Sequence, residues 1–493
     1  MFRRTKTQAL LLVFLFLASL LAVQFAFAQT STPAPSSAPT PTMLWQFTSY
    51  NYPGPGKFSI SQWSTPTIVD GVVYVDMIGS RNYDKAVPVE GLPGATHNIN
   101  VDESWGGVYA LNATTGKLVC FGTTQGSNLS PSVGDGMVFA QIADNEIGAF
   151  NNSNGRSLWN FTSGGSTHFV ADAGGVSQSV TVYFGVGSSP TFADDKVFVG
   201  WTDGNVYALN ASSGSKIWTF TTDTSRISHP ALYSIGNEVR SAPTVVNGVV
   251  YVGSDNGYLY ALNASSGYKI WSYGANSSIG SIPAVVNDKV YFSAYDRYIY
   301  SLNITDGTKE WNYTCGNEWD NTPNFDAAFV YLSSMVIKNG VVYFNYNGVV
   351  GWKDGSYKYF GTVCALNALS GAKLWNNTMN SYTSDAPTVQ DGVVYVFSND
   401  QNLYALNAGT GETISKYYIG KSIDTSKIDN GVAYYGPGKD VLYALKLPPE
   451  STPLPSPTST IPEFSWLMIL PLFLSLVSIL VLITKRKVSD DYD

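Results

Sequence analysis

Ser241 to Trp271 reads SAPTVVNGVVYVGSDNGYLYALNASSGYKIW, and the periodicity of this stretch decides the fold. Apolar residues alternate on both sides of Asn247-Gly248, the pattern of two antiparallel strands joined by a tight turn. A third alternating run, Tyr258 to Leu262, ends in Asn-Ala-Ser-Ser-Gly and gives way to a short segment carrying Trp271. Gly267 supplies the positive φ at which that last reversal needs glycine. The unit is therefore four strands, A to D, in about 40 residues.

The unit recurs. YALNATTGKLVC begins at Tyr109, GAFNNSNGRSLW at Gly148, YALNASSGSKIW at Tyr207, YALNASSGYKIW at Tyr260 and YSLNITDGTKEW at Tyr300. CALNALSGAKLW begins at Cys364, YALNAGTGETIS at Tyr404 and a truncated YALKLPP at Tyr443, which makes eight copies. Four-stranded units of this length stacked in series predict an all-β, eight-bladed β-propeller over residues 44–447. Trp159, Trp218, Trp271, Trp311 and Trp375, each four residues beyond a turn glycine such as Gly214 or Gly267, are expected to dock their rings in the seam against the next blade. The last copy stops after strand C, whereas Leu44-Trp45-Gln46-Phe47 is an orphan strand D. The N-terminal strand is thus expected to complete the last blade and remove the open edges.

The spacing Ala-x-Asn-x-x-x-Gly-x-x-x-Trp resembles the tryptophan-docking motif of the pyrroloquinoline-quinone (PQQ)-like propeller repeat family, in which Asp often stands where this chain has Asn. The resemblance runs from about Ser64 to Leu445. It implies either a PQQ-dependent dehydrogenase, in which calcium, a base carboxylate and a vicinal Cys-Cys disulfide frame the quinone, or one of the family's non-catalytic propellers.

Motif starts differ by 39, 59, 53, 40, 64, 40 and 39 residues, so sequence has entered the array at particular places. The additions are 77–107, 162–187, 221–239, 314–334 and 345–361. All five fall in B-to-C or D-to-A connections, which emerge on one face of a propeller, the usual place for binding or chemistry. Aromatics and carboxylates interleave there, with Trp105, Trp352 and the run Glu318-Trp319-Asp320 as candidate binding residues for a sugar or a protein surface. The same aromatics would also serve to pack long loops onto the scaffold. Arg240, just ahead of the first strand of blade four, is placed at the central channel, as a solvated charge or as a ligand contact.

The ends carry their own signals. Residues 1–28 read as a signal peptide cleaved after Ala28, 29–43 and 448–463 as Pro/Ser/Thr-rich linkers, 464–484 as one transmembrane helix and 485–493 as a basic-started cytoplasmic tail. Pro462-Glu463-Phe464 before the apolar run resembles the PEF-type C-terminal sorting signals of archaeal surface proteins. Between Gln29 and Glu463 the chain has 22 Lys and Arg against 33 Asp and Glu, which argues against nucleic acid as a partner. Ten Asn-x-Ser/Thr sequons mark candidate glycosylation sites at Asn112, Asn128, Asn151, Asn160, Asn210, Asn263, Asn276, Asn303, Asn312 and Asn376. Four of them, Asn112, Asn210, Asn263 and Asn303, sit in the repeated turn, where Asn is favoured in any case for its side-chain bonds to backbone.

Cys120, Cys315 and Cys364 are far apart in sequence and include no vicinal pair. Cys120 and Cys364 stand at the docking-Trp and motif-Tyr positions, and a Cys315–Cys364 bridge is left open. His97, His168 and His229 are isolated in different insertions. No catalytic, cofactor or metal residue is assigned. The expectation is a membrane-anchored, cell-surface, non-enzymatic propeller that holds a protein or glycan on its insertion-bearing face. A dehydrogenase of divergent site using PQQ and calcium is the alternative, and a surface-layer or adhesion protein a third.

Overall fold

The computed structural model describes residues 40–48, 59–88, 96–173, 176–224, 236–315, 325–352, 355–383, 386–420, 423, 425–437 and 441–448. They form eight blade sheets, seven of four strands and one of five, and a separate two-stranded ribbon. Blade four shows the local logic. Its strands are A Thr244–Val246, B Val249–Gly253, C Tyr258–Asn263 and D Lys269–Gly274, each antiparallel to its neighbour. Asn247 and Gly248 both take positive φ, 50° and 75°, the turn whose twist matches that of the flanking strands. At the C-to-D reversal the Asn263 side-chain oxygen accepts the N–H groups of Ser265 and Ser266 at 3.0 and 2.9 Å. The Gly267 N–H closes the turn on the Asn263 carbonyl at 2.8 Å.

The ring closes as expected. Thr42–Thr48 pairs with Val441–Lys446, the strand C of blade eight, and Trp45 lies opposite Ala444. Seams are built by the tryptophans, whose indole N–H donates to a carbonyl in the next blade's turn. The bonds are Trp45 to Ala113 at 2.8 Å, Trp159 to Ala211 at 2.7 Å, Trp218 to Ala264 at 3.0 Å, Trp271 to Ile304 at 2.8 Å, Trp311 to Ala368 at 3.0 Å and Trp375 to Ala408 at 2.9 Å. Each ring lies flat on the next turn's glycine, so a methyl group built on Gly214 or Gly267 would come within 2.5 or 2.8 Å of the Trp159 or Trp218 ring. Such a ring buries roughly 150–250 Å², which at about 25 cal/mol per Å² is worth ~4–6 kcal/mol per seam before entropy is charged. At the seam between blades one and two, Cys120 keeps the bond without the ring, its Sγ donating to the Asn152 carbonyl at 3.1 Å.

Every strand D is bulged one residue before the docking position. In blade three Leu209 pairs with Lys216 and Ala208 with Trp218, leaving Ile217 as the extra residue. Leu44, Val119, Leu158, Ile270, Glu310, Leu374 and Ile414 hold that place in the other blades. The bulge turns the following side chain into the seam and the bulged one to solvent.

Short strands A line the inside of the ring and are bonded to one another. The hydroxyls of Thr67, Thr191 and Thr244 donate to the carbonyls of Pro131, Pro243 and Pro283 in the next blade, at 2.7, 2.6 and 2.6 Å. Serines just ahead of strand A, and in blade six within it, fasten it to strand B, where Ser64, Ser188, Ser281 and Ser333 accept the N–H of Asp76, Gly200, Ser293 and Asn345.

Four of the additions contribute strands rather than loops alone. In blade one, B (Val72–Pro88) and C (Thr96–Asn112) run on from the sheet as one paired ladder, and Ser59–Trp63 pairs onto it. In blade six, A (Phe325–Lys338), B (Val341–Trp352) and C (Tyr357–Asn367) are lengthened in the same way. Ser166–Ala173 and Val176–Tyr183 form the separate ribbon between blades two and three.

The expected transmembrane helix requires correction. Among the described residues no helix is long and apolar enough to cross a membrane. Their apolar side chains alternate along strands and are spent in the seams. The segments 1–28, 464–484 and 485–493, and the sorting-type triplet, lie outside the described residues. The propeller part of the expected fold stands, and single-pass placement and the membrane as a partner are not carried further.

Candidate functional site

Arg240 lies in the D-to-A connection between blades three and four, on the face that bears the additions. Its side chain is half exposed and sits between two acids that are nearly buried, Glu238 (3%) and Asp255 (11%). One guanidinium nitrogen contacts an Asp255 carboxylate oxygen directly, and another lies 3.7 Å from Glu238 Oε1. Backbone bonds fix all three. The Gly236 N–H donates to Glu238 Oε2 at 2.9 Å, and the Asp255 N–H donates to the Glu238 carbonyl at 2.9 Å. The Ser278 hydroxyl of the next connection reaches the Asp255 carbonyl at 2.8 Å. Burial raises the Asp255 carboxyl to about 6, with Glu238 pushing the same way and Arg240 opposing. A carboxylate that titrates near neutrality beside a fixed cation is what proton transfer requires.

A polar cavity of about 110 Å³ opens one blade along, lined by Gly280, Ser281, Ser293, Ala294, Tyr295, Leu332 and Ser334. Ser241, next to Arg240, donates its hydroxyl to the Ser281 carbonyl at 2.6 Å, so cluster and cavity share one piece of backbone. Asp76 is a further acid that sequence reasoning passed over. It ends the propeller portion of strand B in blade one and is fully buried. Its Oδ1 accepts the Met77 N–H at 2.8 Å, while no partner reaches Oδ2. Burial holds this carboxyl well above the usual carboxylate range, which favours its protonated form.

Of the residues singled out from sequence, Arg240 lies just ahead of the first strand of blade four and has Glu238 and Asp255 as partners. Trp105 and Trp352 lie in the lengthened strands of blades one and six, opposite Gly79 and Phe325, and are not on neighbouring blades. Glu318, Trp319 and Asp320 lie outside the described residues. Asp255 was legible only as part of a Ser-Asp-Asn-Gly turn, because nothing in the sequence shows that fifteen positions separate it from a guanidinium it touches. Cys315 and Cys364 are buried in one core cluster. Among the described residues no three His, Cys, Asp or Glu side chains gather as a metal site.

The fold and its docking pattern define an eight-bladed propeller of the PQQ-like class. A family model described as "Outer membrane protein assembly factor BamB" matches residues 85–232, 202–356 and 355–417, more than half of the chain, and the protein belongs to that family. The outer membrane protein assembly factor BamB of Shewanella oneidensis is 30% identical over 147 residues, covering 30% of this chain and 32% of that protein. The quinohemoprotein alcohol dehydrogenase ADH-IIG of Pseudomonas putida is 28% identical over 157 residues, covering 30% of this chain and 20% of that protein. The chain thus matches a third or less of either relative. Among solved structures, quinohemoprotein alcohol dehydrogenase from Comamonas testosteroni superposes with a TM-score of 0.57 at 14% identity, covering 82% of this chain and 76% of that one, which is a likeness of fold.

Proposed function

We propose that the chain acts through Glu238, Arg240 and Asp255 as a quinoprotein-type dehydrogenase of divergent site. The observation that carries this reading is Asp255, an acid raised to about 6 and held against Arg240 on the insertion-bearing face. Support also comes from the stretch shared with quinohemoprotein alcohol dehydrogenase. The sequence alone favoured a membrane-anchored, non-enzymatic scaffold. That account left the Glu238–Arg240–Asp255 contact without a role, and among the described residues no helix is long and apolar enough to cross a membrane.

The donor set suits a quinone in part. Arg240 is half exposed and offers N–H donors to a carbonyl oxygen, while the Glu238 and Asp255 oxygens are already turned to its guanidinium and to the Gly236 N–H. A PQQ-type group bound there would supply the two-electron acceptor. The remaining tasks fall to the protein. Asp255, ionised above about pH 6, takes the proton of the substrate hydroxyl. Arg240 orients the oxygen that gains negative charge, and the buried Glu238 carboxylate keeps the guanidinium in place.

The family description favours a second reading, a non-catalytic propeller that holds a protein partner on the same face. Calorimetric titration with PQQ, with and without calcium, followed by dye-linked alcohol oxidation, separates the two. Saturable binding is expected, with a rate that rises through pH 6 and is lost in Asp255→Asn. Absence of both heat and dye reduction would leave the partner-holding propeller.

A further inference from the structure

The ten sequons fall into structurally distinct groups, and one group is built for modification. In the C-to-D turns the Asn side-chain oxygen is already committed. Asn210 accepts the N–H groups of Ser212 and Ser213 at 3.1 and 3.0 Å, and Asn263 does the same with Ser265 and Ser266. In the Asn210 turn the Ser212 hydroxyl, the very group that completes the sequon, donates to that oxygen as well, at 2.8 Å. These asparagines hold a turn on which the next seam rests, so an enzyme must unmake the turn to reach the amide.

Strand D carries the other group. Trp159-Asn160-Phe161-Thr162, Trp311-Asn312-Tyr313-Thr314 and Trp375-Asn376-Asn377-Thr378 place the same motif, Trp-Asn-x-Thr, at one position of blades two, five and six. Side chains alternate along a strand. The tryptophan faces the seam, so Asn and Thr, two residues apart, share the opposite face, and all three asparagines are exposed there. Strand D is also the outermost strand of its blade, hydrogen-bonded on one side only.

We propose that Asn312 and Asn376 are N-glycosylation sites, with Asn160 a third whose amide is engaged by the Glu146 carboxylate. The donor is a lipid-linked oligosaccharide on the outer side of a membrane, consistent with the export expected from residues 1–28. The asparagine Nδ2 forms a bond to C1 of the first sugar as the bond from C1 to the lipid phosphate oxygen breaks. The amide proton passes to the transferase and the lipid phosphate departs.

The test is glycopeptide mapping of the full chain secreted from a host with an N-linked oligosaccharyl transferase, with deglycosylation to mark each occupied asparagine. Occupancy at Asn312 and Asn376 at least about tenfold above Asn210 and Asn263 is expected, since each committed hydrogen bond costs a factor of that order to break. Asn376→Gln and Thr314→Ala should each remove one glycan from the intact mass while the far-ultraviolet spectrum stays unchanged. Equal occupancy of turn and strand sites, or a chain with no glycan at either strand site, overturns the proposal.

Discussion

Replacing Gly267 with alanine separates the two reasons for a glycine in the docking turn. Gly267 has φ of +73° and Gly248 has φ of +75°, so alanine meets the same backbone penalty of roughly 1–2 kcal/mol at either place. They differ in surroundings. A methyl group at 248 meets nothing within 4 Å, whereas at 267 it lies 2.8 Å from two ring carbons of Trp218. The ring cannot retreat, because its N–H is bonded to Ala264 and Phe198 lies behind it at a centroid distance of 5.9 Å. Overpacking of this kind costs about 1–3 kcal/mol. Gly267→Ala should therefore lose about 2–5 kcal/mol and Gly248→Ala about 1–2 kcal/mol. Urea unfolding followed by circular dichroism at constant m reads the difference. In a double-mutant cycle with Trp218→Leu the excess at 267 should vanish. Equal losses at the two positions, or an excess that survives removal of the ring, would refute the account of the seam.

Three further outcomes are expected. Asp255 is held at about 6 against an unfolded value near 4, so its contribution is complete below pH 4 and is lost as pH rises through 6; Asp255→Asn should flatten that fall, by up to about 3 kcal/mol in pH-dependent urea melts, and an unchanged slope would count against burial of the carboxyl. Asp76, whose carboxyl burial also raises, contributes stability at low pH that is lost as pH rises through its folded value; Asp76→Asn, the residue type blade six carries at that place as Asn345, should flatten that fall in pH-dependent urea melts, and an unchanged slope would contradict a raised carboxyl there. Native protein should react slowly with a thiol reagent at one cysteine, Cys120, whose thiol is partly exposed but raised by burial; three fast thiols in the native state would contradict the buried placement of Cys315 and Cys364.

Much of the architecture was legible because the chain repeats itself. A motif met eight times gives blade number, and an orphan Leu-Trp-Gln-Phe at one end with a missing strand at the other gives closure. The tryptophans were assigned to seams from spacing alone, and the indole bonds agree. What escaped depends on residues that meet only in three dimensions. The bulge at Ile217 and its counterparts is invisible in a pattern that still alternates around it. The additions read as loops from their irregular composition, yet those of blades one and six continue a ladder already running, since extending a paired strand needs no new nucleus. The Glu238–Arg240–Asp255 cluster joins a connection to a turn of the following strands, and neither piece carries a recognisable motif. The apolar run at 464–484 was read by hydropathy, a property the blades never needed, and it has no counterpart in the described residues.

Closure by the N-terminal strand has a consequence in time. Thr42–Thr48 leaves the ribosome almost 400 residues before its sheet partner Val441–Lys446, a wait of roughly 20–80 s at 5–20 residues per second. It need not wait unprotected. Trp45 bonds Ala113, and the Phe47 ring lies 5.3 Å from that of Tyr109, both in blade one, which is made early. The strand can therefore be parked on the flank of the first blade, its seam formed before its sheet exists. When blade eight emerges it finds its fourth strand already in position, so the ring ends its synthesis with an acceptor in place and without a search for one.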